Sequence, residues 1–162
     1  MPEKETLERA RRAERQGKRP TTQAGEFIRE EMHHVREGKH GARSAKQAIA
    51  IGLSKARRAG VKLGAPPKSA KTKTRQSAAS ATRAAGRDRR PSRKRSRAIS
   101  RALRREPHRA ASRQALGRQT RQAARRRGAA ARKTAARKAV ATKGRTGLRA
   151  SARKAAATRK AA

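Results

Sequence analysis

The chain has 162 residues, 49 of them lysine or arginine against 10 aspartate or glutamate, for a formal net charge of +39. Charge of that size repels itself on compaction and draws in phosphate polymers, so the expected partner is a polyanion, and nucleic acid is the commonest one in a cell. Of the 53 apolar residues 37 are alanine, and with one Phe and no Trp, Tyr or Cys the composition offers little bulky surface for a core and excludes disulfides, thiolate metal sites and cysteine nucleophiles.

The N-terminal stretch from Met1 to Arg19 is charged and lacks an apolar signal region. No segment approaches the roughly 20 apolar residues of a membrane span. The expected location is therefore cytoplasmic and nucleoid-associated, with no membrane partner.

Residues 2–16 are rich in helix formers, with Glu5–Arg9 and Glu8–Arg12 at the i,i+4 spacing and Gly17 as a stop. The apolar face is thin, only Leu7, Ala10 and Ala13, which predicts a charged, solvated and fraying helix over residues 1–20. A second helix is expected from an N-cap at Thr21-Thr22 to Gly38, with Ala24, Phe27, Ile28, Met32 and Val35 at three- and four-residue intervals.

The third segment has the clearest local signal. Ser44-Ala45-Lys46-Gln47 matches a capping box, and Ala45, Ala48, Ile49, Gly52, Leu53, Ala56 and Ala59 form one stripe before Gly60 ends it. The small residues Ala48, Gly52 and Ala56 would admit a neighbouring helix backbone, so residues 21–63 read as an antiparallel hairpin with Phe27, Ile28, Met32 and Val35 against Ile49, Leu53 and Val61. A head of about 42 residues is near the lower limit for folding alone, which favours a homo-oligomer or a bound partner.

Gly64-Ala65-Pro66-Pro67 breaks the helical pattern. Before it, residues 1–62 hold 16 basic and 8 acidic side chains; after it, residues 63–162 hold 33 basic ones and only Asp88 and Glu106. Residues 64–162 are low-complexity, rich in Arg, Lys and Ala, and are expected to be disordered until phosphate neutralises them, when 91–105 and 123–143 would turn helical. The fold class expected is all-α: a small helical head followed by a disordered or conditionally helical basic tail.

The stretch Gln23-Ala24-Gly25-Glu26-Phe27-Ile28-Arg29-Glu30-Glu31-Met32, followed by HHVREGKHGARSAKQAIAIGLSKARRAGVKL, resembles a bacterial family of small proteins classed as a domain of unknown function. The likeness covers residues 1–63. It implies a bacterial source and a basic C-terminal extension, and supplies no activity. The tail is similar to histone H1-like bacterial proteins in composition alone.

The candidate phosphate-binding cations of the head are Lys39 and Arg43, in the loop Gly38-Lys39-His40-Gly41-Ala42-Arg43, and the cluster Lys55, Arg57, Arg58 and Lys62. A Gly-rich loop opening onto a helix N-terminus is either an anion cradle or a plain hairpin turn. In the tail the candidates are Arg87, Arg89, Arg90, Arg93, Lys94, Arg95, Arg97, Arg101, Arg104 and Arg105, then Arg125, Arg126, Arg127, Arg132, Lys133, Arg137, Lys138, Arg153 and Lys154. The tail's net charge matches the phosphates of about 15–20 base pairs, at one phosphate per ~1.7 Å of duplex axis.

His33, His34 and His40 lie near Glu30 and Glu37 in sequence, but adjacent helical residues point about 100° apart, so they read as surface histidines and no metal site or cofactor is expected. The glutamate pairs suit the helix dipole, and no hydrolase, kinase or dinucleotide motif is present, so no enzyme is expected. The functional expectation is a non-enzymatic, largely sequence-independent nucleic-acid-binding protein. Lack of stacking aromatics favours duplex DNA over RNA. The alternatives are an RNA- or ribosome-associated basic protein and a protein-interaction adaptor tethered by its tail.

Overall fold

The computed structural model describes residues 2–86 and 92–160, and every regular element in them is helical. In chain order these are α1 (Lys4–Arg15), α2 (Pro20–Arg36), α3 (Ala45–Arg58), α4 (Thr72–Arg83), α5 (Arg93–Arg104), a 3₁₀ turn at His108–Ala111, α6 (Arg113–Arg126) and α7 (Gly128–Lys160). They fall into two compact units, Met1–Gly117 and Arg118–Ala162.

The predicted hairpin forms, with α2 lying on α3. Its start differs from the expected Thr cap: Pro20 occupies the first turn of α2 behind Arg19, which makes no side-chain cap. Proline suits that position because its fixed φ is already helical and its missing N–H would have had no partner there. At α3 the Ser44 hydroxyl accepts from the Gln47 N–H at 3.3 Å, as the capping box requires. The reciprocal bond is displaced by one residue, with Gln47 Oε1 accepting from the Arg43 N–H at 2.9 Å.

The small-residue stripe allows the close approach expected of it. Ala48 and Ala56 are fully buried, and a Cβ added at Gly52 would stand 2.8 Å from the Cα of Ile28. The predicted apolar set divides in two. Phe27 packs with Ala10, Ala24 and Ala56 beside Leu7, Leu53, Val61 and Leu63. Met32 and Val35 pack with Ala42, Ala48, Ala110 and Ala111 beside Ile28, Ile49 and Leu116.

Two segments are more tightly docked than their sequences suggest. Helix α1 is not a solvated rod: Thr6, Ala10 and Ala13 are buried, and the helix packs on α2. Leu7 adds to the contact beside Phe27, and polar bonds finish it. The Glu3 N–H donates to Glu30 Oε2 at 3.2 Å, and Arg9 Nε donates to Glu26 Oε2 at 3.1 Å.

The second docked segment is the last turn of α5 and the chain that follows it. The Gly41 N–H donates to the Leu103 carbonyl at 2.8 Å and the Ala42 N–H to the Pro107 carbonyl at 3.1 Å. Arg36 Nε reaches the Ala111 carbonyl at 3.0 Å, and Ala110 and Ala111 complete the Met32 cluster. The covering that so small a hairpin needs thus comes from within the chain, from α1 on one cluster and residues 103–116 on the other.

The disordered tail expected from composition is not what forms. After the prolines, α4 packs against α3 with Ala81 buried, and residues 93–104, 113–126 and 128–160 are helical. The intrinsic helix preference of Ala, Arg and Lys outweighs their charge repulsion here. Helix α7 is interrupted at Gly144, whose φ of 65° and ψ of 175° break it into two stretches.

Candidate nucleic-acid interface

The head cations nominated by sequence separate by burial. Lys55 is folded into the protein: its side chain is 20% exposed, and Nζ stands 2.9 Å from Glu30 Oε1 and 2.8 Å from Glu31 Oε2. Arg57 is buried and donates through Nη2 to the Gly64 carbonyl at 2.7 Å, fastening the chain after α3 to that helix. These two cations make their contacts inside the head. Arg58 and Lys62 are exposed.

In the loop, Lys39 is exposed but divides its ammonium between Glu37 Oε2 and Glu3 Oε1, each at 3.2 Å. Those bonds, to Glu37 first and Glu3 second, hold its pKa above the usual value. Arg43 is 80% exposed and lies 3.4 Å from Glu106 Oε1. Four of the loop's N–H groups are already bonded within the protein. The Lys39 N–H bonds the His34 carbonyl, Gly41 and Ala42 hold the segment after α5, and the Arg43 N–H is taken by Gln47. An anion needs unoccupied N–H groups, and these four are in use.

In the tail, Arg87, Arg89 and Arg90 lie outside the described residues. Every other nominated cation there is exposed: Arg93, Lys94, Arg95, Arg97, Arg101, Arg104, Arg105, Arg125, Arg126, Arg127, Arg132, Lys133, Arg137, Lys138, Arg153 and Lys154. At 100° per residue, α5 gathers Arg93, Lys94, Arg97, Arg101 and Arg104 into an arc about 100° wide, while Arg95 falls on the other side with Ala98, Ile99, Ala102 and Leu103. The first stretch of α7 shows no such sorting, since Arg132, Lys133, Arg137 and Lys138 are spread around its circumference.

Composition had marked the tail as basic without marking this register. The signal was legible in the i, i+4, i+8 spacing of Arg93, Arg97 and Arg101. The same spacing recurs at Arg145, Arg149 and Arg153 beyond Gly144, and Arg118, Arg121 and Arg125 share one face of α6. None of α4, α5, α6 and α7 has an acidic residue in its first turn. Cations at the start of a helix oppose its dipole, an imbalance that external anions relieve.

A second polar constellation lies inside the head. Glu31 is wholly buried and Glu30 nearly so, one turn from His34 and beneath His40 of the loop. Burial would raise the Glu30 carboxyl, but hydrogen bonds from Lys55, Thr6 and the Glu3 N–H overcome it and leave the pKa below the usual 4.5. Burial would likewise depress Lys55, and its contacts with Glu31 and Glu30 turn the shift upward. His34 and His40 are not surface histidines: their side chains are 13% and 18% exposed, and their ring centroids are 6.0 Å apart. His33, which sequence grouped with them, is exposed.

Residues 19–69, which include α2 and α3, match a family of unknown function (DUF6496). No curated protein and no solved structure matches the chain.

Proposed function

We propose that the protein is a non-enzymatic, largely sequence-independent nucleic-acid-binding protein that neutralises and compacts or bridges duplex DNA, in the manner of a bacterial histone H1-like, nucleoid-associated protein. The observation that carries this reading is the exposed basic arc of α5, together with the exposed cations of α6 and α7. Among the described residues beyond the paired prolines, the one acid is Glu106, and it lies against Arg43. Nothing acidic within those helices competes for their arginines, so phosphate is the natural counter-charge.

The division of labour follows from burial. Lys55 and Arg57 serve the fold, and contact with nucleic acid falls to α5, α6, α7, Arg58 and Lys62. A rigid helix presenting cations on one side meets phosphates spaced along a groove without reading bases, which gives affinity without specificity. Arginine adds bidentate phosphate bonding and entry into narrow minor grooves.

Mobility shift of the full chain on duplexes of unrelated sequence, across a salt series, tests the reading. Log affinity should fall linearly and steeply with log salt, and about equally for each duplex. A slope near zero, or a strong preference for one short sequence, overturns it. Competition with a structured RNA decides between DNA and RNA.

A further inference from the structure

The geometry points to a site for a divalent transition-metal ion, of the zinc, cobalt or nickel class, formed by Glu31 and His34 of α2 and His40 of the following loop. One donor atom from each of these residues lies within 4.8 Å of the other two. Two imidazoles and a carboxylate are the donor set that borderline divalent ions prefer, with the fourth position left for water.

The hydrogen bonds around the cluster set its chemistry. His40 Nδ1 is 3.1 Å from the Gly41 carbonyl, which can only accept, so whenever the ring is neutral this contact favours the proton on Nδ1 and the lone pair on Nε2. That Nε2 stands 3.2 Å from Glu31 Oε1. His34 Nε2 is 2.8 Å from Glu3 Oε1, which likewise places its proton there and leaves the Nδ1 lone pair unused. A second hydrogen bond that fixes the ring's tautomer and orientation is the usual support of a metal-binding histidine.

Glu31 supplies the independent sign of a missing occupant. Both its oxygens are buried without a hydrogen bond, although Lys55 Nζ is only 2.8 Å from Oε2. Lys55 supplies charge on the Oε2 side, while Oε1 faces only the His40 ring. Glu3, Glu30 and Glu31 bring three carboxylates to the cluster, with Lys55 against Glu30 and Glu31 and Lys39 against Glu3. A divalent ion between Glu31 and the two rings would add positive charge beside the buried carboxylate and replace its contact with His40 Nε2 by two coordinate bonds.

Metal-to-donor distances of about 2.0–2.2 Å place tetrahedral donors roughly 3.4 Å apart. His40 Nε2 and Glu31 Oε1 already stand 3.2 Å apart, so only the wider separations in the cluster, none above 4.8 Å, would have to close. A cleft of about 270 Å³ bordered by Glu3, Glu30, His34 and Lys39 opens beside His34, one of the three donors. Once bound, the ion would pin the loop to α2 and so stiffen the seat on which Gly41 and Ala42 hold the segment after α5.

Titration of the chelator-treated full chain with Co²⁺ and Zn²⁺ tests the site. The expected results are a one-to-one tetrahedral Co²⁺ absorption band displaced by Zn²⁺, and a melting temperature that climbs with the logarithm of Zn²⁺ concentration. Nuclear magnetic resonance of the unaltered chain should show the rings of His34 and His40 shifting with Zn²⁺ while those of His33 and His108 stay put. Glu31→Gln and His40→Ala should each weaken the metal at least tenfold, and His33→Ala should leave it unchanged. Absence of the cobalt band, equal shifts at all four histidines, or stabilisation by mild acid with no response to metal would each overturn the proposal, the last by showing that protons occupy the site.

Discussion

Gly52 of α3 lies against the backbone of Ile28 in α2, so close that a Cβ on Gly52 would come within 2.8 Å of the Ile28 Cα and 3.0 Å of its nitrogen. An alanine in mid-helix ordinarily stabilises by about 0.5–1 kcal/mol relative to glycine. At this position the obstacle is main chain, so the helices must part. Gly52→Ala is expected to cost about 1–3 kcal/mol. Gly25, inside α2 with nothing within 4 Å of such a Cβ, should respond with the opposite sign. Urea unfolding of both variants measures the difference.

Gly41 meets a similar limit for another reason. A Cβ there would run into the carbonyl of Glu106, while the Gly41 N–H holds the Leu103 carbonyl at 2.8 Å. Gly41→Ala should therefore release residues 103–111 from the head while α2 and α3 stay paired. Hydrogen exchange is the suitable readout: protection should fall at Ala42 and Ala111, with little change at Phe27 or Ala56.

The ion cluster around Lys55 predicts how stability depends on pH. Glu30 titrates below 4.5 in the folded chain, so the unfolded chain binds more protons just under that pH and stability falls as the solution is acidified. Lys55 holds its proton above 10.5 when folded, so its contribution is complete below 10.5 and is lost as pH rises past that value. Thermal unfolding should show a plateau between these limits, and Glu30→Gln should flatten the acid side. Lys55→Met, which strands two buried carboxylates, should cost about 3–5 kcal/mol. Arg58→Ala, at an exposed site, should stay within about 0.5 kcal/mol of the parent.

What sequence made legible was periodic. The α2–α3 hairpin, its small-residue contact and the Ser44 cap follow from spacing over three and four residues, and the structure bears them out. Docking of α1 and of residues 103–111 was hidden because alanine carries it: Ala10, Ala13, Ala110 and Ala111 bury little area each and stand in stretches that read as polar. The meeting of Glu31, His34 and His40 was hidden because the third donor comes from a loop, whose path no helical spacing predicts. Lys55 and Arg57 were indistinguishable from surface cations until the fold showed which carboxylates and carbonyls they face.

The basic arc of α5 makes a prediction that composition alone does not. Arg93, Arg97 and Arg101 follow one another at four-residue steps and Arg104 comes three further on, a spacing at which like charges repel by a few tenths of a kcal/mol per pair. Replacing all four by alanine removes that repulsion and adds the best helix former, so circular dichroism of the chain without DNA should show equal or greater helicity. Binding should respond in the other direction. Each lost phosphate contact removes about 0.9 from the slope of log affinity against log salt, so the fourfold variant should lose about 3–4 units of slope, alike for AT-rich and GC-rich duplexes. Lys39→Ala should change the slope by well under one unit, because that ammonium is shared between Glu3 and Glu37. A fourfold variant that keeps the parent slope would remove α5 from the interface and leave the cations of α6 and α7 to account for binding.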